Sequence, residues 1–174
     1  MAEIKSTLEL VMEKTRHLQM SEEDKRNQEA QAFREAVGRL AGKYLGGQIS
    51  LDKFKAELSQ LGEGDSHKAD AAAEIGRRID PAADNTQLFD LMREGLGFDT
   101  SAIEATLRHF TNKLHSDEGR ASERILDDLS RKGIKGSAVV PNLALDKDWI
   151  KMRREMFEAV KLELAAQIAR IQQR

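Results

Sequence analysis

Four histidines, at positions 17, 67, 109 and 115, are the starting point for metal or proton-transfer chemistry in a chain that has no cysteine. A carboxylate-bridged metal pair in a helical bundle needs a glutamate three residues before a histidine, and a zinc hydrolase needs His-Glu-x-x-His. Neither pattern occurs. His109 and His115 are six residues apart, which at 100° per residue sets them on different faces of a helix. Asp117 and Glu118 follow closely, and these four are the only residues that invite a metal. Solvated polar side chains beside a helix break explain the same grouping and are the preferred reading.

Other chemistry is missing too. No G-x-x-x-x-G-K-[ST] loop, no strand-borne G-x-G-x-x-G and no G-x-S-x-G elbow is present. The 30 acidic residues are spread over amphipathic segments, so no pair stands out as general acid and base. Without cysteine there are no disulfides, no thiolate-bound zinc, no iron-sulfur cluster and no thiol nucleophile. The expectation is therefore no catalytic residue, no metal and no cofactor, and a binding protein is favoured over an enzyme.

Positive charge gathers at Arg77-Arg78, at Arg131-Lys132 with Lys135, and at Lys151 with Arg153-Arg154. The first two groups fall where helices should end, and cations there complement the helix dipole. The last two flank or closely follow the stretch GIKGSAVVPNLAL, residues 133–145, and together border a place for an acidic group. A nucleic-acid surface would need aromatic platforms alongside, and only Trp149 is near. The net charge of -2 supplies no overall field toward polyanions or anionic membranes.

That stretch differs from the rest of the chain: two glycines, two adjacent valines and one of only two prolines, with almost no charge. Three readings compete. In the favoured one Val139, Val140, Leu143 and Leu145 fold inward and close one end of a helical bundle. In the second, Ala138–Val140 acts as an extended segment that pairs with a partner's strand or with a symmetry mate. In the third, the stretch forms a small-ligand mouth, with Ser137 and Asn142 as polar contacts, Trp149 as a wall, and Arg153 with His109 or His115 nearby. The candidate interaction or ligand residues are Ser137, Val139, Val140, Pro141, Asn142, Trp149 and Arg153.

The elements that must position these residues are helical. The composition is 33% charged and 40% hydrophobic but 5% aromatic, which favours helix over sheet. Apolar residues recur at three- and four-residue steps in Ile4, Leu8, Val11, Met12 and Leu18, in Ala30, Phe33, Val37, Leu40 and Tyr44, and in Leu51, Phe54, Leu58 and Leu61. Ser21 and Ser50 are placed to cap the second and third of these helices. An alanine-rich helix from about Ser66 to Ile79 should let a neighbour approach closely, and Pro81 fixes its end. A fifth helix uses Leu88, Leu91, Met92 and Leu96. Ser101 with Glu104 reads as a capping box that opens a long helix to Gly133. Asp117 and Glu118 at expected core positions, with Gly119 beside them, predict a kink or short break near residues 116–119.

Asp146 should cap a last helix of about 28 residues, roughly 42 Å, whose Ile150, Phe157, Leu164 and Ile171 repeat every seven residues. The expected architecture is all-α: an irregular bundle of about seven helices with a long final helix and one extended apolar loop before it. The 174 residues suit a single domain, with residues 1–62 able to form a helical lobe on a glycine-containing hinge at 62–66. No run reaches the roughly 18 apolar residues of a membrane span, so a cytoplasmic protein is expected. Its expected role is that of a non-catalytic interaction or scaffold protein that self-associates or binds a protein partner. The alternative is a small-molecule-binding or enzymatic helical domain with its site at the 133–145 loop.

Overall fold

Ala71, Ala72 and Ala73 are all fully buried. Successive helical residues point 100° apart, so three in a row can be covered only when neighbours enclose the helix from several sides. The computed structural model describes residues 21–62 and 64–172 and builds the protein around this helix. The expected first helix and His17 lie outside the described residues.

The chain is all-helical, with six α-helices among the described residues: α1 Glu22–Leu45, α2 Leu51–Leu61, α3 Asp65–Gly76, α4 Thr86–Asp90, α5 Ser101–Arg131 and α6 Lys147–Gln172. A π-helical turn, Leu91–Gly95, continues α4, and a short 3-10 turn, Leu143–Leu145, precedes α6. Helix α3 lies between α1 and α6, α2 packs on α1 and on the π turn, and α5 packs along α6. One apolar cluster joins Val37 and Leu40 of α1, Phe54 of α2, Ala71–Ala73 and Ile75 of α3, Leu91 and Met92 of the π turn, and Val160, Leu164 and Ile168 of α6.

Small side chains make the enclosure of α3 possible. A Cβ added to Gly76 would lie 2.9 Å from Cγ1 of Ile168, too close for any rigid neighbour. On the opposite side Arg78 donates a 2.6 Å hydrogen bond to the Gly38 carbonyl oxygen of α1, and Gly38 has no side chain to obstruct it. Arg77, its neighbour, pairs instead with Glu74 of its own helix at 2.9 Å.

The local signals explain most helix starts. Ser21 and Asp24 form a reciprocal capping box, with the Asp24 N–H donating to Ser21 Oγ at 3.0 Å and the Ser21 N–H to the Asp24 carboxylate at 3.2 Å. Ser50 Oγ accepts from the Lys53 N–H at 3.3 Å. At α5 the expected box does not form, and the cap lies one residue earlier. Thr100, fully buried, occupies the cap position and its hydroxyl donates to the Glu104 carboxylate, while the Ser101 N–H donates to Asp99 Oδ1 at 2.9 Å.

The expected kink at residues 116–119 does not form, and α5 runs unbroken through it. Helices bend where something interrupts the backbone ladder. Here Ser116, Glu118 and Gly119 face solvent and Asp117 pairs with Arg120 at 3.3 Å, so nothing intrudes. Three further positions depart from the apolar pattern. Ala30 is exposed because the first three turns of α1 stand clear of the core, and Leu61 is exposed at the end of α2. In α6 the inward residue of the first turn is Trp149, not Ile150. Buried residues run from Trp149 to Ile168, so α6, about 39 Å long at 1.5 Å per residue, crosses the body. No helix among the described residues is long and apolar enough to cross a membrane.

Two glycine-to-alanine changes should have opposite signs. Gly119→Ala, in an open helical position, should stabilise the protein by about 0.5–1 kcal/mol through lower backbone entropy in the unfolded chain. Gly76→Ala should cost about 1–3 kcal/mol through overpacking against Ile168. Urea denaturation of both variants checks the pair, and a stabilised Gly76→Ala would contradict the close approach of α3 and α6.

Candidate interaction site at the helical hairpin turn

Helix α5 closes at Gly133, whose φ of +82° only glycine adopts freely. The Gly133 N–H bonds to the Ser130 carbonyl and the Ile134 N–H to the Leu129 carbonyl, both at 3.0 Å, a Schellman ending. The chain then crosses to α6 through residues 134–146, and three devices hold this connection. Asn142 Oδ1 accepts from the Ala144 N–H at 3.1 Å and starts the 3-10 turn. The Asp146 carboxylate accepts from the Trp149 N–H at 2.7 Å and caps α6. Arg124, about two turns before the end of α5, donates to both Asp146 carboxylate oxygens at 2.8 Å and to Asp148 at 3.1 Å. Such a planar fork fixes orientation as well as distance.

The electrostatics follow from this geometry. The Trp149 N–H, and then the Arg124 guanidinium, hold the Asp146 carboxyl below its ordinary value of 3.8. Arg124 is pushed up in turn, first by its bonds to Asp146 and then by those to Asp148. These groups are solvent-accessible, so their effect is to fix the shape of the turn rather than to supply bulk stability.

A tied-down loop would ordinarily turn its apolar side chains inward. This one does so in part: Val139, Pro141 and Leu143 are half-buried, while Val140 is 82% and Leu145 78% exposed. The favoured expectation that all four apolar residues fold inward is thus corrected for Val140 and Leu145. The reason is the 3-10 turn, in which successive side chains diverge by about 120°, so seating Leu143 against the body sends Leu145 out of it. Ala138–Val140 forms no strand within the chain. Ile134 and Ile150, at the two sides of the connection, are 51% and 48% exposed.

Beside these projections lies a groove of about 690 Å³. Leu143 and Ala144 form one wall, Leu114 and Glu118 of α5 contribute, and Trp149, Ile150, Arg153, Arg154 and Phe157 come from α6. Phe110 meets Phe157 edge to face at 4.9 Å, which fixes the aromatic floor, and the Arg153 guanidinium sits 5.3 Å above the Phe157 ring. Neither Arg153 nor Arg154 makes an ion pair with the described residues, and both are exposed.

Of the residues singled out in the sequence, Trp149 and Arg153 line the groove, whereas Ser137, Val139, Val140, Pro141 and Asn142 do not. Ser137 and Asn142 are exposed, and the amide of Asn142 serves the turn itself. His109 and His115 are exposed on α5 and line no part of the groove. His67 stacks edge-on against Phe33 at 5.1 Å, in a smaller recess of about 280 Å³ at the α2–α3 junction. Among the described residues no group of three or more histidine and carboxylate side chains is arranged to hold a metal. Sequence reasoning missed Arg124, whose partner stands 22 residues away, beyond any helical spacing. It placed Phe157 on the core seam but not at a groove.

Because the Asp146 carboxyl lies below its ordinary value when folded, its contribution is complete above 3.8 and disappears as pH falls through the folded value. Asp146→Asn keeps a capping side chain but removes the charge that Arg124 grips. The melting temperatures of the native protein and Asp146→Asn should therefore differ most near neutral pH and converge as pH falls below 3.8, which calorimetry from neutral into acid would show. In comparison with known proteins, the chain matches no family model, no curated protein and no solved structure.

Proposed function

We propose that the protein is a non-catalytic helical interaction protein that associates with itself through the turn between α5 and α6. One observation carries this reading: a loop fixed by Asn142, Asp146 and Arg124 holds Val140 and Leu145 almost wholly in solvent. Ordering apolar side chains in water brings no gain unless another surface covers them, and grouped exposed apolar residues mark binding surfaces. The loop is also ordered before any partner arrives, which lowers the entropic cost of association. The absence of cysteine from all 174 residues suits a protein of a reducing compartment such as the cytoplasm.

The groove supports a second reading, a small-ligand site. Its volume of about 690 Å³ falls within the usual range for ligand pockets, and an aromatic floor beside two arginines suits an apolar acid.

Light scattering over a concentration series separates the two. On self-association, the mass rises above that of the 19.5 kDa monomer, and Val140→Ser with Leu145→Ser returns it to that value. Because both side chains are exposed, the double variant should keep its stability within about 0.5 kcal/mol per site. A native chain that stays monomeric at every concentration would overturn self-association and leave the ligand reading in its place.

A further inference from the structure

We infer that the second copy docks with two-fold symmetry, Leu145 of each chain entering the groove between Leu143, Trp149 and Phe157 of the other. The inference rests on the self-association reading and adds its geometry. Its first support is adjacency: an apolar projection and an apolar recess occupy neighbouring parts of one surface, with Leu145 following directly on Leu143 and Ala144 of the groove wall. A patch that carries both a shape and its complement is what a two-fold axis requires, since each chain then gives and receives the same contact. Were the projection and recess on distant faces, the same contact would propagate into a ring or a filament.

Its second support is that Leu145 has no route into its own groove. Leu143 already forms that wall, the 3-10 turn directs Leu145 elsewhere, and the Arg124 fork on Asp146 prevents the turn from unwinding to swing it round. The groove can therefore be filled by this residue only from another molecule.

Charge is the third. Arg153 and Arg154 stand at the groove without an acidic partner among the described residues, and Glu123 and Asp127, one turn apart on the exposed side of α5, stand without a basic one. A two-fold arrangement about the hairpin turn lets the acidic pair of one chain face the arginine pair of the other, twice per dimer. Such complementary rims set orientation and exclude like-charged approaches.

The cysteine-free chain gives a clean test by disulfide trapping. Leu145→Cys and Ile150→Cys, each an exposed position, are made as separate single-cysteine proteins and mixed under mild oxidation. The arrangement brings residue 145 of one chain beside residue 150 of the other, so the mixed disulfide should form about tenfold faster than either homodisulfide, because a docked pair has a high effective concentration. Arg154→Glu should slow that trapping by a similar factor, and added salt should slow it in the native background. Homodisulfides through residue 145 that outpace the mixed product would mean that the loops meet tip to tip, overturning the arrangement while self-association stands. No disulfide in any combination, with a native mass that remains monomeric, would overturn both.

Discussion

The structure depends on a constraint of size. Helix α3 can sit between α1 and α6 only because Ala71–Ala73 and Gly76 present almost no side chain to their neighbours. Close approach multiplies weak dispersion contacts, and in a chain with 5% aromatic residues this replaces the large rings that usually fill a core. It also explains why the longer apolar side chains, Phe54, Leu91, Met92 and Leu164, come from the surrounding elements. Apart from Ile75 of α3 itself, bulk arrives from outside, because the alanine face of the centre has little room for it.

The hairpin turn follows the opposite rule. Its position is set by polar groups: the Asn142 amide, the Asp146 carboxylate and the Arg124 fork. Two of its apolar residues, Val140 and Leu145, take no part in that positioning. Dividing the work this way allows Val140 and Leu145 to remain in solvent without the loop collapsing around them. Trp149 links the two regimes, since its backbone N–H belongs to the cap of α6 while its indole is buried beside the groove.

Much of this was legible from residue types, and the failures have physical causes. The all-α class followed from three- and four-residue spacing, and Ser21, Ser50 and Asp146 were read as caps because capping is a local hydrogen bond between near neighbours. The alanine run announced close packing. What sequence could not give were features set at a distance. Asp117 and Glu118 suggested a break because apolar periodicity was assumed to continue along α5, whereas that part of the helix meets water. Val140 and Leu145 were read as inward because an apolar loop is usually buried, and only the 3-10 geometry sends Leu145 out. The arginine fork and the groove join residues from two helices, so no single stretch of sequence contains either.

The small-residue face of α3 also fixes an order of events in biosynthesis. Gly76 and its cover, Ile168, are 92 positions apart (168 − 76), so α3 leaves the ribosome long before the helix that shields it. At the usual pace of synthesis that interval lasts about 5–18 s. During that time α1, with α2 packed on it, can settle on one side of α3, held by the Arg78 bond to Gly38, while the side that will receive α6 stays uncovered. The nascent chain therefore carries an open alanine and isoleucine strip until its final helix is made, and the arrival of α6 completes the centre of the protein rather than its periphery.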